Sequence, residues 1–403
     1  MALARTAPLR EAMAEAIPDR PFTVAFWDGS ELPSTSSDGP RFSVRSPRAL
    51  AYALTAPGEL GIGRAYVSGE LDVDDIDAAV EIVRAWQPPS LDAKTKARLA
   101  LAAVRATGIT RPPPRPQAEL VPEGRRYSIG RDRRSVRHHY DLPPEFFALF
   151  LDESMTYSCA IFSRGATTLE EAQETKLELV CTKLGLQPGE RVLDVGCGWG
   201  SFALHAARRH GVSVVGITLS PPQAETARQR AAEAGLADKI EIRVQDWRDL
   251  PGERFDAIAS IGMVEHVGED SIDDYAVRLR ELLAPGGRLL NHGIARLTLG
   301  DPRGGPFTQR YVFPDGAPLP LSRMTLAFER AAMVVDHVEG FAPDYAETLR
   351  HWYTRFDDRL DEATRLAGAE RVRVWRLYLR AARWGFLNDF TSVYQVRAKP
   401  SKA

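Results

Sequence analysis

The chain predicts an α/β protein: a large unit on a doubly wound, mainly parallel sheet, preceded by a smaller α+β unit. Three observations carry this. From residue 188 onward, apolar strand patterns alternate with helical ones. The first strand, Val192-Leu-Asp-Val195, runs straight into a glycine turn and then a helix. At 403 residues the chain also exceeds what one average domain needs.

In chain order, Thr23-Val-Ala-Phe-Trp-Asp-Gly and Arg41-Phe-Ser-Val-Arg-Ser read as strands with turn-forming residues between them. Pro47-Arg-Ala-Leu-Ala-Tyr-Ala-Leu reads as a helix with proline in its first turn. Gly61 to Val73 is glycine-punctuated and reads as loop or strand, and Asp74 to Trp86 has a helical apolar period. These make a small unit over residues 1–90, with no cluster of catalytic residue types. Residues 91–124 read as a linker: a helix over Lys94–Thr107, then Gly108-Ile-Thr-Arg-Pro-Pro-Pro-Arg-Pro, where three prolines favour an extended spacer. Residues 125–403 form the large unit. It opens with Arg125, Arg126, Arg131, Arg133, Arg134 and Arg137, with His138 and His139 beside them. This cluster has two readings, a phosphate or anionic-membrane contact and a solvated face paired with acids such as Asp132 and Asp141.

Glu145-Phe-Phe-Ala-Leu-Phe-Leu starts an aromatic-rich helix, and a longer helix is expected from about Thr168 to Leu184. Strands follow at 191–195, at Val212-Ser-Val-Val-Gly-Ile-Thr, at Ile240-Glu-Ile-Arg-Val, at Phe255-Asp-Ala-Ile-Ala-Ser-Ile and after the Pro285-Gly-Gly turn. Right-handed crossovers put their C-terminal ends on one edge, which is where a ligand binds.

Composition narrows the function. Hydrophobic residues make 44% and charged residues 26% of the chain, and the formal net charge is -2, so no global cationic field gathers nucleic acid. Cys159, Cys181 and Cys197 have no ligand-like spacing, which argues against a disulfide framework or a zinc site and suits a reducing compartment. The N-terminal stretch carries acidic residues and lacks the apolar core of a signal peptide. No apolar run is long enough to span a bilayer, so any membrane contact is expected to be peripheral, and with the cysteine usage the expected location is cytoplasmic.

The turn Asp194-Val-Gly-Cys-Gly-Trp-Gly200 has tight Gly-x-Gly-x-Gly spacing with an acid two residues before it. This leans toward S-adenosylmethionine (SAM) rather than a dinucleotide, on a Rossmann-like sheet of the class I SAM-dependent methyltransferase kind. The amides of Gly196, Cys197, Gly198 and Gly200 are expected to face the methionine end. The second strand ends in Thr218-Leu219-Ser220 instead of an acid, so hydroxyls and Gln223 are the nearest partners for ribose. Gln245-Asp246-Trp247 offers an amide, a carboxylate and an aromatic face to adenine, although Trp247 taken alone is equally an ordinary packing residue. Glu265 and His266 follow the fourth strand, and His292 lies on the fifth; their convergence on the glycine-loop edge marks a site.

Taken together, His139-Tyr-Asp, Met155-Thr-Tyr-Ser-Cys-Ala, Val192-Leu-Asp-Val-Gly-Cys-Gly-Trp-Gly, Gly216-Ile-Thr-Leu-Ser, Glu265-His-Val-Gly, His292-Gly-Ile and Trp352-Tyr-Thr-Arg-Phe resemble the cyclopropane-fatty-acyl-phospholipid synthase family, which includes the mycolic acid cyclopropane synthases. The resemblance spans roughly residues 138 to 360. It implies that Tyr157, Ser158, the glycine loop, Thr218, Leu219, Gln223 and Trp247 contact SAM. It also implies a bicarbonate held by Cys159, Glu265, His292, Tyr353 and the backbone of Ile294. The small N-terminal unit is implied to be a lipid-binding-type domain that supports substrate handling and homo-oligomer formation. The implied partner is an unsaturated phospholipid acyl chain at the membrane surface.

In such a reaction the alkene attacks the sulfonium methyl, leaving a carbocation that must be kept from water and then lose a proton. Phe146, Phe147, Tyr311, Phe313 and Trp352 are candidates for an aromatic lining. The product is a cyclopropane or, in relatives where a hydride shift comes first, a methylene branch that a partner reductase converts to a methyl branch. The cysteine that the family often carries in its C-terminal helix is absent from Tyr378-Leu-Arg-Ala-Ala-Arg-Trp-Gly. A small-molecule SAM methyltransferase and a non-catalytic lipid-binding protein are the competing readings.

Overall fold

The computed structural model describes residues 6–36, 39–87, 89–108, 112–121, 124, 130–131, 134, 142–297 and 305–402. Of the arginine cluster, Arg125, Arg126, Arg133 and Arg137, together with His138 and His139, lie outside them. The chain forms two compact units, one of Met1–Leu120, Gly305–Tyr311 and Ala367–Trp384, the other of Val121–Gly304, Val312–Leu366 and Gly385–Ala403.

The smaller unit holds a four-stranded sheet of β1 (Thr23–Ala25), β2 (Glu31–Leu32), β3 (Arg41–Val44) and β4 (Leu71–Val73) in the order β2-β1-β3-β4. Its core differs from the sequence divisions. The helix Ala93–Thr107, expected in a linker, contributes buried Ala102, Ala103 and Ala106 to one cluster with Leu9, Val24, Phe26 and Tyr52. The stretch expected as loop or strand begins as a helix, Glu59–Val67. Its glycines serve close packing: a Cβ on Gly61 would lie 2.3 Å from the Ala56 carbonyl oxygen, and one on Gly63 2.4 Å from the Phe307 ring. Tyr311, expected in the aromatic lining, belongs to this unit, where its ring stacks on Phe307.

The larger unit carries seven strands: β5 (Arg191–Val195), β6 (Ser213–Thr218), β7 (Ile240–Val244), β8 (Phe255–Ile261), β9 (Leu283–Arg296), β10 (Met333–Gly340) and β11 (Thr391–Pro400). Their order is β10-β11-β9-β8-β5-β6-β7. β5 to β9 pair in parallel, as expected, and β11 enters antiparallel between β9 and β10. On one face, the helices Ile272–Leu282 and Leu321–Arg330 cover Leu193, Val195, Ile258 and Leu289. On the other, Leu169–Leu184, Ser201–His210 and Pro221–Glu233 cover Val192, Val214, Ala257 and Leu290. The helix Leu169–Leu184 starts where a capping box predicts, with Thr168 accepting from the Glu171 amide and Glu171 accepting in return, and it ends on left-handed Gly185.

One glycine ties the sheet to the ligand edge. A Cβ on Gly216 would lie 2.8 Å from Ile242 Cδ1 and 3.0 Å from both Cβ and Sγ of Cys197, inside the glycine turn. Gly216→Ala is therefore expected to cost about 1–3 kcal/mol of stability and to weaken SAM binding by shifting that turn. Thermal unfolding and calorimetry check it; unchanged SAM affinity would mean that the turn yields freely.

Candidate active site

A cavity opens at the C-terminal edge of β5, β6, β7 and β8. Tyr157, Ser158, Asp194, Gly196, Cys197, Gly198, Thr218, Leu219, Gln223, Gln245, Asp246 and Trp247 all line it, so the sequence-expected cofactor residues converge there. Gly200 is not among the lining residues. At φ +84° it is the N-cap of the helix Ser201–His210, packed 3.2 Å (as a built Cβ) from Ala227.

The loop amides differ from expectation. Gly196 and Cys197 N–H donate to the Ile217 carbonyl at 3.0 and 2.9 Å, and Gly200 N–H donates to Cys197 O at 2.9 Å. These three bonds shape the turn and do not face a ligand. Left-handed φ at Gly196, Gly198 and Gly200 makes so tight a turn possible. In place of the acid that often ends the second strand, Thr218 Oγ1 donates to Gln223 Oε1 at 2.8 Å, orienting the Gln223 amide. Asp246 lines the cavity, but both its oxygens accept from the Arg248 guanidinium, at 2.7 and 2.8 Å. Trp247 stands edge-on to Tyr275.

Asp194 is the acid of this cavity. It is buried, its Oδ2 has no hydrogen-bond partner among the described residues, and burial pushes its carboxyl up to about 7 against the pull of Lys176. A cation brought into the cavity would meet it.

Lys176 and Gln173 were not singled out by sequence. Both are buried on the helix Leu169–Leu184. Gln173 Nε2 donates to Ser158 O at 2.9 Å and Thr156 O at 3.2 Å, and Lys176 Nζ donates to Ser158 Oγ at 3.0 Å. Burial pulls the Lys176 amine down to about 8, while the nearby carboxyls of Asp152 and Asp194 hold it up. The two residues brace the 155–158 wall of the cavity, where Met155 has an uncommon φ of +57°. The signal was in the sequence: a Gln and a Lys on the apolar face of an amphipathic helix.

None of Cys159, Glu265, His292, Ile294 and Tyr353 is among the residues lining this cavity. Glu265 lies on the turn Val264–His266 after β8, and its neighbour His266 does line the cavity, held neutral by burial. The Ile294 N–H, implied to hold an anion, donates instead to Glu265 Oε1 at 2.7 Å. Glu265 Oε2 has no partner among the described residues, and burial raises the carboxyl to about 7.

His292 sits two residues from Ile294 on the same face of β9 and pairs in register with Gln395 of β11. Lys183 Nζ donates to Gln395 Oε1 at 2.7 Å, which turns Gln395 Nε2 toward His292 Nδ1 at 3.1 Å. The network thereby assigns Nδ1 as the acceptor and Nε2 as the protonated nitrogen of a neutral ring. Burial, with Lys176 and Lys183 nearby, keeps that ring neutral down to about 3. His292 Nε2 has no partner among the described residues, so a buried N–H donor stands ready.

Cys159 is fully buried, with its thiol 3.1 Å from Ala160 O and 3.8 Å from Phe341 O. Burial raises the thiol well above its ordinary value, so it stays protonated and is no nucleophile. Tyr353 is half-buried on the helix Ala342–Asp357. Phe146, Phe147 and Trp352 join Phe150, Tyr157 and Phe356 in one aromatic cluster, in which Trp352 stacks on the cavity residue Tyr157 at 5.1 Å. Phe313 lies edge-on to His266 at 5.9 Å. Of the described arginines in the basic cluster, Arg131 is half-buried and makes a two-bond ion pair with buried Asp315.

Residues 128–396 match the mycolic acid cyclopropane synthetase family. A probable fatty acid methyltransferase of Mycobacterium tuberculosis is 39% identical over 369 residues, which are 88% of this chain and 86% of the relative. The cyclopropane-fatty-acyl-phospholipid synthase of Escherichia coli is 34% identical over 340 residues, covering 84% of this chain and 82% of the relative. The crystal structure of mycolic acid cyclopropane synthase CmaA1 complexed with SAH and CTAB superposes with a TM-score of 0.63 at 33% identity, covering 66% of this chain and 97% of that one. With the glycine loop, the orphaned Asp194 and the seven-stranded sheet in place, the chain belongs to the mycolic acid cyclopropane synthetase family and is a SAM-dependent methyltransferase.

Proposed function

We propose that the enzyme transfers the SAM methyl to the double bond of an unsaturated fatty acyl chain of a membrane phospholipid and closes a cyclopropane ring. The observation that carries this reading is the pair of orphaned buried groups, Glu265 Oε2 and His292 Nε2–H. An enzyme that methylates an oxygen or nitrogen nucleophile needs only a base for that nucleophile. An enzyme that methylates an alkene must take a proton from a carbocation in a dry site, without a side chain that would trap the cation.

A buried N–H donor and a buried carboxyl with a free oxygen fit a small protonated anion such as bicarbonate, its O–H donating to Glu265 and an oxygen accepting from His292. Bound there, bicarbonate would supply a base too small and mobile to remain attached to the lipid. The protein's own work is clearer still. Asp194 meets the cofactor's positive charge, and Gln173 and Lys176 fix the wall carrying Tyr157 and Ser158. The aromatic cluster around Trp352 offers a water-excluding lining with π-faces for the cation.

The acyl substrate is a membrane lipid, so the enzyme works as a peripheral protein at the cytoplasmic face and as a homo-oligomer. The relative that acts on phospholipid, by its name, matches most of the chain's length, which supports this choice over a soluble substrate. Among the described residues no helix is long and apolar enough to cross a membrane.

Mass spectrometry of phospholipids from cells expressing the chain tests the reading. The expected result is a gain of one CH2 on monounsaturated chains, with cyclopropane protons by NMR. A methylene signal instead would assign the alternative product and call for a partner reductase. Unaltered lipids with active SAM turnover on a small molecule would overturn the proposal.

A further inference from the structure

Away from the cofactor cavity, two neighbouring helices of the larger unit bring four metal-ligating side chains to one place. Cys181 and Glu178 stand one turn apart on Leu169–Leu184. His205 and His210 come from Ser201–His210. The Cys181 sulfur and one nitrogen of each imidazole lie within 4.8 Å of one another. Both His Nε2 atoms converge on a single carboxylate oxygen, Glu178 Oε2, at 3.0 and 3.1 Å. Sequence spacing conceals this group, because Cys181 and the histidines are more than twenty residues apart and meet only when the helices pack.

We propose that Glu178, Cys181, His205 and His210 form a structural site for a divalent ion of the zinc type, which staples the two helices together. Four donors of mixed sulfur, nitrogen and oxygen character suit Zn2+ and disfavour Mg2+ or Ca2+, which take oxygen shells. All four come from protein, which leaves no open position and so makes the site structural rather than catalytic. Zinc bonds of about 2.0–2.3 Å put tetrahedral ligand atoms roughly 3.3–3.8 Å apart, so Cys181, His205 and His210 need to close by about 1 Å, and the Glu178 carboxylate, already at the two imidazoles, has to turn toward the sulfur. His210, the last residue of its helix, and Glu178, half in solvent, have the freedom to do so.

Ligation replaces the thiol proton by the metal: the S–H bond breaks as the sulfur–metal bond forms, and the proton leaves to solvent. A His–Glu–His ion-pair cluster with an uninvolved cysteine is the competing account. It predicts no proton release and no sulfur ligation.

The staple has a position worth having. The helix Leu169–Leu184 carries Gln173 and Lys176, which brace the 155–158 wall, and Ser201–His210 starts at the end of the glycine turn. Fixing these helices to each other holds two walls of the cofactor cavity in register.

The test uses the full chain, stripped with a chelator and titrated with Zn2+, Co2+ or Mg2+. One Zn2+ per chain is expected, with a rise in melting temperature of several degrees that Mg2+ does not reproduce. Co2+ should give visible bands of tetrahedral intensity and a near-ultraviolet thiolate-to-cobalt band. His210→Gln should weaken Zn2+ binding at least tenfold, and Cys181→Ser should abolish the thiolate band. If Cys181→Ser does not fold, His210→Gln and the thiolate-to-cobalt band of the parent chain still decide the matter. Absence of stoichiometric binding, or binding indifferent to His210→Gln and lacking the thiolate band, would overturn the site.

Discussion

Replacing Glu265 by Gln is expected to lower turnover by about 10²–10⁴-fold while leaving SAM affinity within roughly twofold. The split follows from placement. Glu265 does not line the cofactor cavity, whereas the adjacent His266 does. A Gln carbonyl can keep the bond from the Ile294 N–H, so the local backbone has no reason to move. What changes is the far side: the amide puts an N–H2 where the carboxylate presents a bare buried oxygen. His292 also offers an N–H, so an anion that must donate its own proton loses its acceptor.

The variant should at the same time be more stable near neutral pH. Burial raises the Glu265 carboxyl from its ordinary 4.5 to about 7, so the folded state binds more protons than the unfolded state between those values. Stability contributed by this group is therefore full below the unfolded value and falls as pH rises through about 7. A neutral Gln removes that loss. A melting temperature higher than that of the parent at pH 8, together with low SAH release on unsaturated phospholipid vesicles, would separate lost chemistry from lost folding. Normal turnover would remove the anion site.

The two halves of this region were legible in the sequence to different degrees, for a physical reason. The residues lining the cavity sit at strand ends and on the short connections that follow them, where local sequence sets both the turn and its exposed groups, so Asp194, Thr218 and Gln245 could be placed there from the strand pattern and the glycine motif. Even there the donors of Gly196 and Cys197 were misassigned, because their acceptor, Ile217 O, belongs to another strand. The polar chain around His292 is non-local. Lys183, Gln395 and His292 meet only because β11 runs antiparallel beside β9. β10 and β11 themselves went unrecognised: both interleave polar and charged residues with apolar ones, and β11 has no helix after it to mark a crossover. In the small unit the glycines of Glu59–Val67 looked like turn formers, and only their packed neighbours, backbone at Gly61 and the Phe307 ring at Gly63, show that they are contact points. The assignment of Tyr311 to the smaller unit was hidden for a related reason, since the chain leaves the larger unit at 305 and returns at 312.

Asp194→Asn should weaken SAM binding by about tenfold to a hundredfold, the loss expected when a hydrogen bond to a charged group goes. Its carboxylate is buried at the end of β5, lines the cavity, and leaves Oδ2 without a partner among the described residues. Burial lifts it to about 7, and the Lys176 ammonium only partly opposes the rise. A cation binds the ionised form better, so SAM affinity in the parent should climb as pH passes upward through about 7, and by linkage SAM binding should expel a proton on the acid side. The Asn variant should lose both the climb and the proton release, which calorimetry in buffers of different ionisation enthalpy reads directly. It should not unfold, because removing a carboxyl with a raised value relieves a burial penalty at neutral pH. The product SAH carries no sulfonium charge but keeps the methionine ammonium. If Asp194 answers the sulfonium, the variant discriminates against SAM far more than against SAH; if it answers the ammonium, both ligands weaken alike. Equal, undiminished affinity for both would mean that this acid only shapes the turn.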